Sequence, residues 1–179
     1  TLYFHKDGIT TKVTTIPNVY NRGQGGLLDV KIHPEYPQKP WIYLTQASTE
    51  GNEEGGHTAL LRANFVDGQL SNMETLYKAG PNTTKGVHFG SRLEFDRDGF
   101  LFMSIGERGA RDENPQDISR DGGKIYRFNE DGTIPLDNPF VDEENAKTAI
   151  YSYGHRNPQG MEMHPDTGEI WVHEHGPRG

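Results

Sequence analysis

The sequence predicts an all-β protein. Three observations carry that expectation: a strand-turn-strand phrase that recurs, an abundance of Gly and Pro, and the near absence of helical periodicity. The phrase first reads Leu28-Asp29-Val30-Lys31-Ile32-His33-Pro34, followed by Trp41-Ile42-Tyr43-Leu44. It returns as Leu93-Glu94-Phe95-Asp96-Arg97-Asp98-Gly99 before Leu101-Phe102-Met103, and again as Met161-Glu162-Met163-His164-Pro165-Asp166-Thr167-Gly168 before Ile170-Trp171-Val172. In each copy apolar residues sit two apart, stop at Pro or Gly, and resume, which is the pattern of a β-hairpin with one buried face.

His33, Asp96 and His164 hold equivalent places, offset by roughly 65 residues, longer than the ~40–50 of common propeller repeats but enough for four strands and long loops. A second hairpin is expected between the first two copies, residues 60–65 turning at Asp67-Gly68 into 69–70. Its counterpart is expected over residues 124–134. Paired hairpins stacked around an axis make a β-propeller of four-stranded blades. The expected layout is the end of a preceding blade in residues 1–22, a blade over 23–80, a blade over 81–150 and the start of the next over 151–179. A closed ring takes ~4–8 blades and this length supplies about three, so the sequence is read as a partial propeller. Uncovered blade faces then predict self-association or pairing with the missing half. Residues 141–147 follow Asp137-Asn138-Pro139 and read as an exposed loop or single turn.

Composition narrows the function. A formal charge of −8 with no long basic run argues against nucleic acid as a partner and leaves a small or neutral substrate, or a cation. With no cysteine, disulfides and thiolate chemistry are excluded. No apolar run approaches the ~18 residues of a membrane span. The nucleophile elbow of serine hydrolases, the phosphate-binding loop and the dinucleotide fingerprint are all missing.

Five polar loop segments remain: residues 23–26, 87–90, 106–109, 154–160 and 173–177. Three of them precede a copy of the phrase, and in a propeller equivalent loops meet on one face near the axis, so a shared pocket is expected. His88, beside Gly90 at a strand entry, suits a general base. Arg156-Asn157 sets a planar cation beside an amide, a pair suited to carboxylates or polarised carbonyls. His173-Glu174-His175 places two imidazoles on one strand face, but zinc needs a third ligand that the spacing does not offer. Gly176-Pro177 would expose backbone carbonyls, which hard cations accept. The acidic run 112–117 lacks the ligand spacing of a calcium loop and reads as solvated surface.

In order and spacing, Gly23-Gln24-Gly25-Gly26-Leu27-Leu28-Asp29, His88-Phe89-Gly90-Ser91-Arg92-Leu93, Ser104-Ile105-Gly106-Glu107-Arg108-Gly109, Tyr153-Gly154-His155-Arg156-Asn157-Pro158-Gln159-Gly160 and His173-Glu174-His175-Gly176-Pro177 resemble a known family. It is that of the soluble pyrroloquinoline-quinone (PQQ) dependent sugar dehydrogenases, and within it the aldose sugar dehydrogenase, or glucose/sorbosone dehydrogenase, branch. The resemblance implies a six-bladed propeller that oxidises aldose sugars to lactones with PQQ and Ca²⁺ and passes electrons to an acceptor, in the periplasm or outside the cell. It implies His88 as the base, with Arg156 also at the reaction centre. Gln24, Arg108, Arg156 and Asn157 would line the cofactor, and the carbonyls of Gly176 and Pro177 would ligate Ca²⁺. Val87 and Arg108 stand where the glucose-specific branch has an acidic residue and a Gln, so sugar contacts differ. The other readings are a Ca²⁺-dependent propeller lactonase and a non-catalytic propeller that binds protein or carbohydrate.

Overall fold

The computed structural model describes residues 1–176, and every regular element among them is a β-strand. β1 (Leu2–Lys6) and β2 (Ile9–Thr14) form a hairpin. β3 (Leu27–Ile32), β4 (Trp41–Ser48), β5 (His57–Val66) and β6 (Gln69–Lys78) form an antiparallel sheet in chain order. A second such sheet comprises β7 (Leu93–Phe95), β8 (Leu101–Ile105), β9 (Lys124–Phe128) and β10 (Ile150–Tyr153). β11 (Pro158–Met163) and β12 (Ile170–Glu174) make a closing hairpin. Between β5 and β6, Asp67 and Gly68 both take positive φ, 50° and 77°, the two-residue turn whose twist matches that of the strands.

Successive side chains of a strand point to opposite faces, and this divides the core between neighbouring sheets. On β4, Tyr43 packs with β7, β8 and β9 of the second sheet, while Ile42 and Leu44 turn to the cluster that includes Ile16 and Leu2 of the first hairpin. On the second sheet, Leu101, Met103, Ile105, Tyr126 and Phe128 face the first sheet, and Phe102 and Ile125 face Met161 of the closing hairpin. Inner strands are therefore covered on both faces, not on the single face expected from alternation: β8 and β9 are buried at every position.

Two other expectations give way. Lys124–Phe128 does not turn back into residues 129–134. Asn129 to Thr133 is a tight turn, closed by Asn129 N–H on the Thr133 carbonyl at 2.9 Å, and the strand that pairs with β9 arrives only at Ile150. The reason is that this turn is held elsewhere: the Glu130 carbonyl accepts from Tyr43 Oη and Arg62 Nη1, and its carboxylate from His33 and Lys39, all on the first sheet or the loop after β3. The second sheet consequently runs to Tyr153, past the expected boundary at 150. Strand interiors carry polar groups too: Thr45, Gln46, Ser48, Glu94, Lys124 and Arg127 are buried.

His57, at the start of β5, is 2% exposed. Burial, reinforced by the Arg108 charge, pushes its pKa from 6.5 down to about 3. An unfolded chain would take up this proton near pH 6.5 and the folded one only near 3, so stability is expected to fall as pH drops through that window. Urea unfolding of the wild type and of His57→Gln between pH 7 and pH 4 checks this, with the variant expected to lose less stability on acidification.

Candidate functional site

In each sheet the first strand starts at the same end, so the loops before β3, β7 and β11 emerge together, joined by the loop that leaves β8 and by residues 175–176 after β12. Backbone contacts stitch them. Gln24 N–H donates to the Gly86 carbonyl at 2.7 Å, Glu107 N–H to Arg156 O at 2.8 Å, and His175 N–H to Asn157 O at 3.1 Å. The approach is close enough to require glycine: a Cβ on Gly23 would collide with the Gly86 carbonyl, and one on Gly106 with the carbonyl of His88 and the Asn157 side chain.

His88 sits at the centre with φ of 53°, a left-handed conformation unfavourable to a side chain with a Cβ. Gln24 Oε1 accepts its backbone N–H at 2.8 Å. Its ring Nδ1 lies against Glu107 Oε1. A carboxylate can only accept there, so Nδ1 carries a proton, and in the neutral ring Nε2 is then the nitrogen with the lone pair. Glu107 is buried, and its other oxygen, Oε2, has no hydrogen-bond partner among the described residues. Glu107 borders a cleft of about 290 Å³ shared with Arg111, Gln116, His155 and Arg156.

Arg156 and Asn157 are fixed from behind. Glu174 Oε2 accepts the backbone N–H of both, at 2.6 and 3.1 Å, and its other oxygen lies 3.6 Å from His155 Nδ1. Arg156 Nη1 donates to the His175 carbonyl at 2.7 Å, and Asn157 Oδ1 accepts from Gly90 N–H at 3.1 Å. The remaining guanidinium donors of Arg156 and the amide nitrogen of Asn157 have no protein partner among the described residues. The Gly176 carbonyl adjoins this group, 2.9 Å from His175 Nδ1. Pro177 lies outside the described residues.

The geometry thus brings Gln24, His88, Arg156, Asn157 and Gly176 together. It does not bring Arg108 to the cleft surface as a cofactor contact. That guanidinium is 1% exposed and turned inward onto the carbonyls of Val87, Gly56 and Lys85, because φ of 60° at Arg108 sends its side chain away from that of Glu107. Sequence reasoning missed Glu107 and Glu174 as the carboxylates that orient the His88 ring and the Arg-Asn pair. The available signal was a lone acid in each of two otherwise glycine- and histidine-rich motifs. The grouping of His and acids close enough for a metal is His33, Glu35 and Glu130, not His173 and His175, and the Lys39 ammonium already binds both of its carboxylates at 3.0 and 2.7 Å. None of the described residues forms a helix long and apolar enough to cross a membrane.

Chemically, the converging loops set an imidazole backed by a buried carboxylate in one cluster with a cation and an amide donor. Such a set can remove a proton from a hydroxyl and stabilise negative charge on a nearby oxygen.

Comparison with known proteins shows the family. The profile of the Glucose / Sorbosone dehydrogenase family matches residues 1–179. The chain is 39% identical over 174 residues to aldose sugar dehydrogenase YliI of Escherichia coli (strain K12), covering 96% of this chain and 46% of that protein. The crystal structure of the soluble aldose sugar dehydrogenase from Escherichia coli in the apo-form superposes with a TM-score of 0.92 at 37% identity, over 99% of this chain and 52% of that one. The PQQ-bound form of aldose sugar dehydrogenase from Streptomyces coelicolor gives a TM-score of 0.80 at 30% identity, over 96% and 48%. The chain therefore spans about half the length of the relatives it matches.

The Glu107 contact fixes the His88 tautomer, and this can be read directly. Nitrogen-15 NMR of the imidazole is expected to show the Nδ1–H form in the wild type and a mixture of tautomers in Glu107→Ala. An unchanged ring spectrum in the variant would remove Glu107 from this role.

Proposed function

We propose that this chain, which belongs to the glucose/sorbosone dehydrogenase family, supplies the base and much of the cofactor seat of an enzyme that oxidises aldose sugars to lactones with PQQ and Ca²⁺. The observation that carries the reading is the meeting of a His88 with free Nε2, held by Glu107, and an Arg156-Asn157 pair held by Glu174. Relatives named aldose sugar dehydrogenase, one of them solved with PQQ bound, support it.

The residues fit such a group. A planar quinone rich in oxygens needs donors, and those left over on Arg156 and Asn157 are of that kind. A hard cation needs oxygen ligands, and the Gly176 carbonyl is the one described, with Pro177 proposed beside it. Gln24, whose amide nitrogen has no partner among the described residues, would line the same space. When bound, PQQ polarised by Ca²⁺ supplies the two-electron acceptor for hydride. His88 Nε2 takes the proton of the sugar's anomeric hydroxyl, so the carbon that gives up hydride becomes the carbonyl of the lactone. Glu107 stabilises the imidazolium that this creates, and Arg156 holds positive charge near the oxygen that turns anionic.

The proposed architecture is a six-bladed ring. The two sheets would be complete blades and the hairpins β1–β2 and β11–β12 parts of their neighbours, with Trp171 and Val172 of β12 left exposed. A second copy or the remainder of the ring would cover that surface. A periplasmic or secreted setting and a separate electron acceptor go with the same reading. A Ca²⁺ lactonase would instead gather carboxylates around its ion, and the nearest such grouping is already bound by Lys39 at the far end of β3 from Gln24.

In the full-length protein reconstituted with PQQ and Ca²⁺, His88→Ala is expected to lower aldose-dependent dye reduction by about 10²–10⁴-fold. Turnover equal to the wild type would show that another group is the base.

A further inference from the structure

We infer that Arg108 is a positioning residue, whose buried guanidinium clamps the backbone that carries His88 and so sets where the imidazole sits. The inference rests on the reading of His88 as the base. Arg108 Nη1 donates to the Val87 carbonyl, and Nη2 to those of Lys85 at 3.1 Å and Gly56 at 3.0 Å. Its Cζ stands 3.4 Å from the ring centroid of Phe89. The clamp therefore touches the residue before His88 and the residue after it, and through Gly56 it ties that loop to the entry of β5.

Consecutive residues divide the work. Glu107 holds the ring of His88 while Arg108 holds its backbone, and both leave the end of β8 on a chain whose φ at Arg108 is 60°. With His88 at 53° and Ser91 at 76°, three side-chain-bearing residues here adopt left-handed backbone. Such conformations persist only where surrounding contacts enforce them, and they cluster where geometry matters to function. Burial of the guanidinium lowers its pKa to about 10, which leaves it charged at neutral pH, so its donors remain available to all three carbonyls.

The residue type follows from the task. Three carbonyls and an aromatic face are met together by a planar fork, whereas an ammonium is a single point of attachment and a Gln side chain offers one amide nitrogen. The position was expected to face the cofactor. Its Nη nitrogens instead donate to three protein carbonyls, and at 1% exposed the guanidinium is turned away from the cleft beside Glu107.

Arg108 also borders a cavity of about 300 Å³ lined by His57, Pro81, Thr83 and Lys85, which gives a small cation a way in once the side chain is removed. The test uses the full-length protein with PQQ and Ca²⁺. Arg108→Ala is expected to lower kcat about 100-fold, the effect of displacing a reacting group by about 1 Å. KM for the sugar is expected to move less than about threefold, since the groups that would bind it remain. Millimolar guanidinium should restore part of kcat, and urea at the same concentration should not. Should Arg108→Ala fail to fold, Arg108→Lys serves, and it is expected to lose kcat in the same way despite keeping its charge.

A second readout needs no turnover. The His88 imidazole NMR signals should shift in the Arg108 variant without cofactor and return with guanidinium. Wild-type kcat in Arg108→Lys, a change in KM alone, or unmoved His88 signals would overturn the clamp. If His88→Ala leaves turnover unchanged, the base assignment fails, and the His88 signals still decide whether Arg108 positions that ring.

Discussion

The site depends on how the carbonyls and amides of residues 89–92 are satisfied in the seam between the two sheets. This stretch is buried or nearly so, and each unpaired backbone group there would cost on the order of 1–3 kcal/mol. Hydroxyls on the flanking strands meet the demand. Thr45 Oγ1 donates to Ser91 O at 2.7 Å, Thr58 Oγ1 to Phe89 O at 3.1 Å, and Arg92 N–H finds Ser104 Oγ at 3.0 Å. Ser104 Oγ in turn donates to the Pro158 carbonyl at 2.9 Å at the entry to β11. One line of small polar residues thus runs from the first sheet through the His88 loop to the closing hairpin, and it fixes the spacing of the loops that carry Gln24, His88 and Arg156.

That line is possible only because the sheets are covered on both faces. A sheet with one wet face would leave such hydroxyls to water, and the loops beyond them would not be held to one another. Here each inner strand sends alternate side chains to different neighbours, so moving one sheet would disturb two cores at once. Asp29 shows the same coupling outside the core, with one carboxylate oxygen on Val30 N–H of its own strand and the other on Leu93 N–H of the next sheet. Fold and site are one packing problem: residues far apart in sequence meet because the strands beneath them share faces.

Much of this was legible in the sequence. Alternation marked β3–β4, β7–β8 and β11–β12, Asp67-Gly68 marked the β5–β6 turn, and the glycine-rich motifs marked the converging loops. What was hidden depended on partners chosen in three dimensions. β10 could not be read because the turn after β9 is held by Tyr43, Arg62, His33 and Lys39, and no local pattern reports that. The inward course of Arg108 depends on a left-handed φ that a non-glycine residue does not advertise. Glu107 and Glu174 looked like ordinary loop acids because the groups they bind, the His88 ring and two backbone amides, lie 19 and 17–18 residues away in the chain.

The residues gathered in the converging loops share a further property. Each commits one edge of its side chain to structure and keeps the other. His88 gives Nδ1 to Glu107 and keeps Nε2, Asn157 gives Oδ1 to Gly90 and keeps its amide nitrogen, Gln24 gives Oε1 to His88 and keeps its own, and Arg156 gives Nη1 to His175 and keeps the rest of the fork. A side chain held at one end and open at the other presents a fixed donor or acceptor with little left to reorganise, which is the condition for electrostatic stabilisation of a transition state. Arg108 differs because its guanidinium is buried and both Nη nitrogens donate to backbone carbonyls, so it can act on chemistry only through the residue it holds.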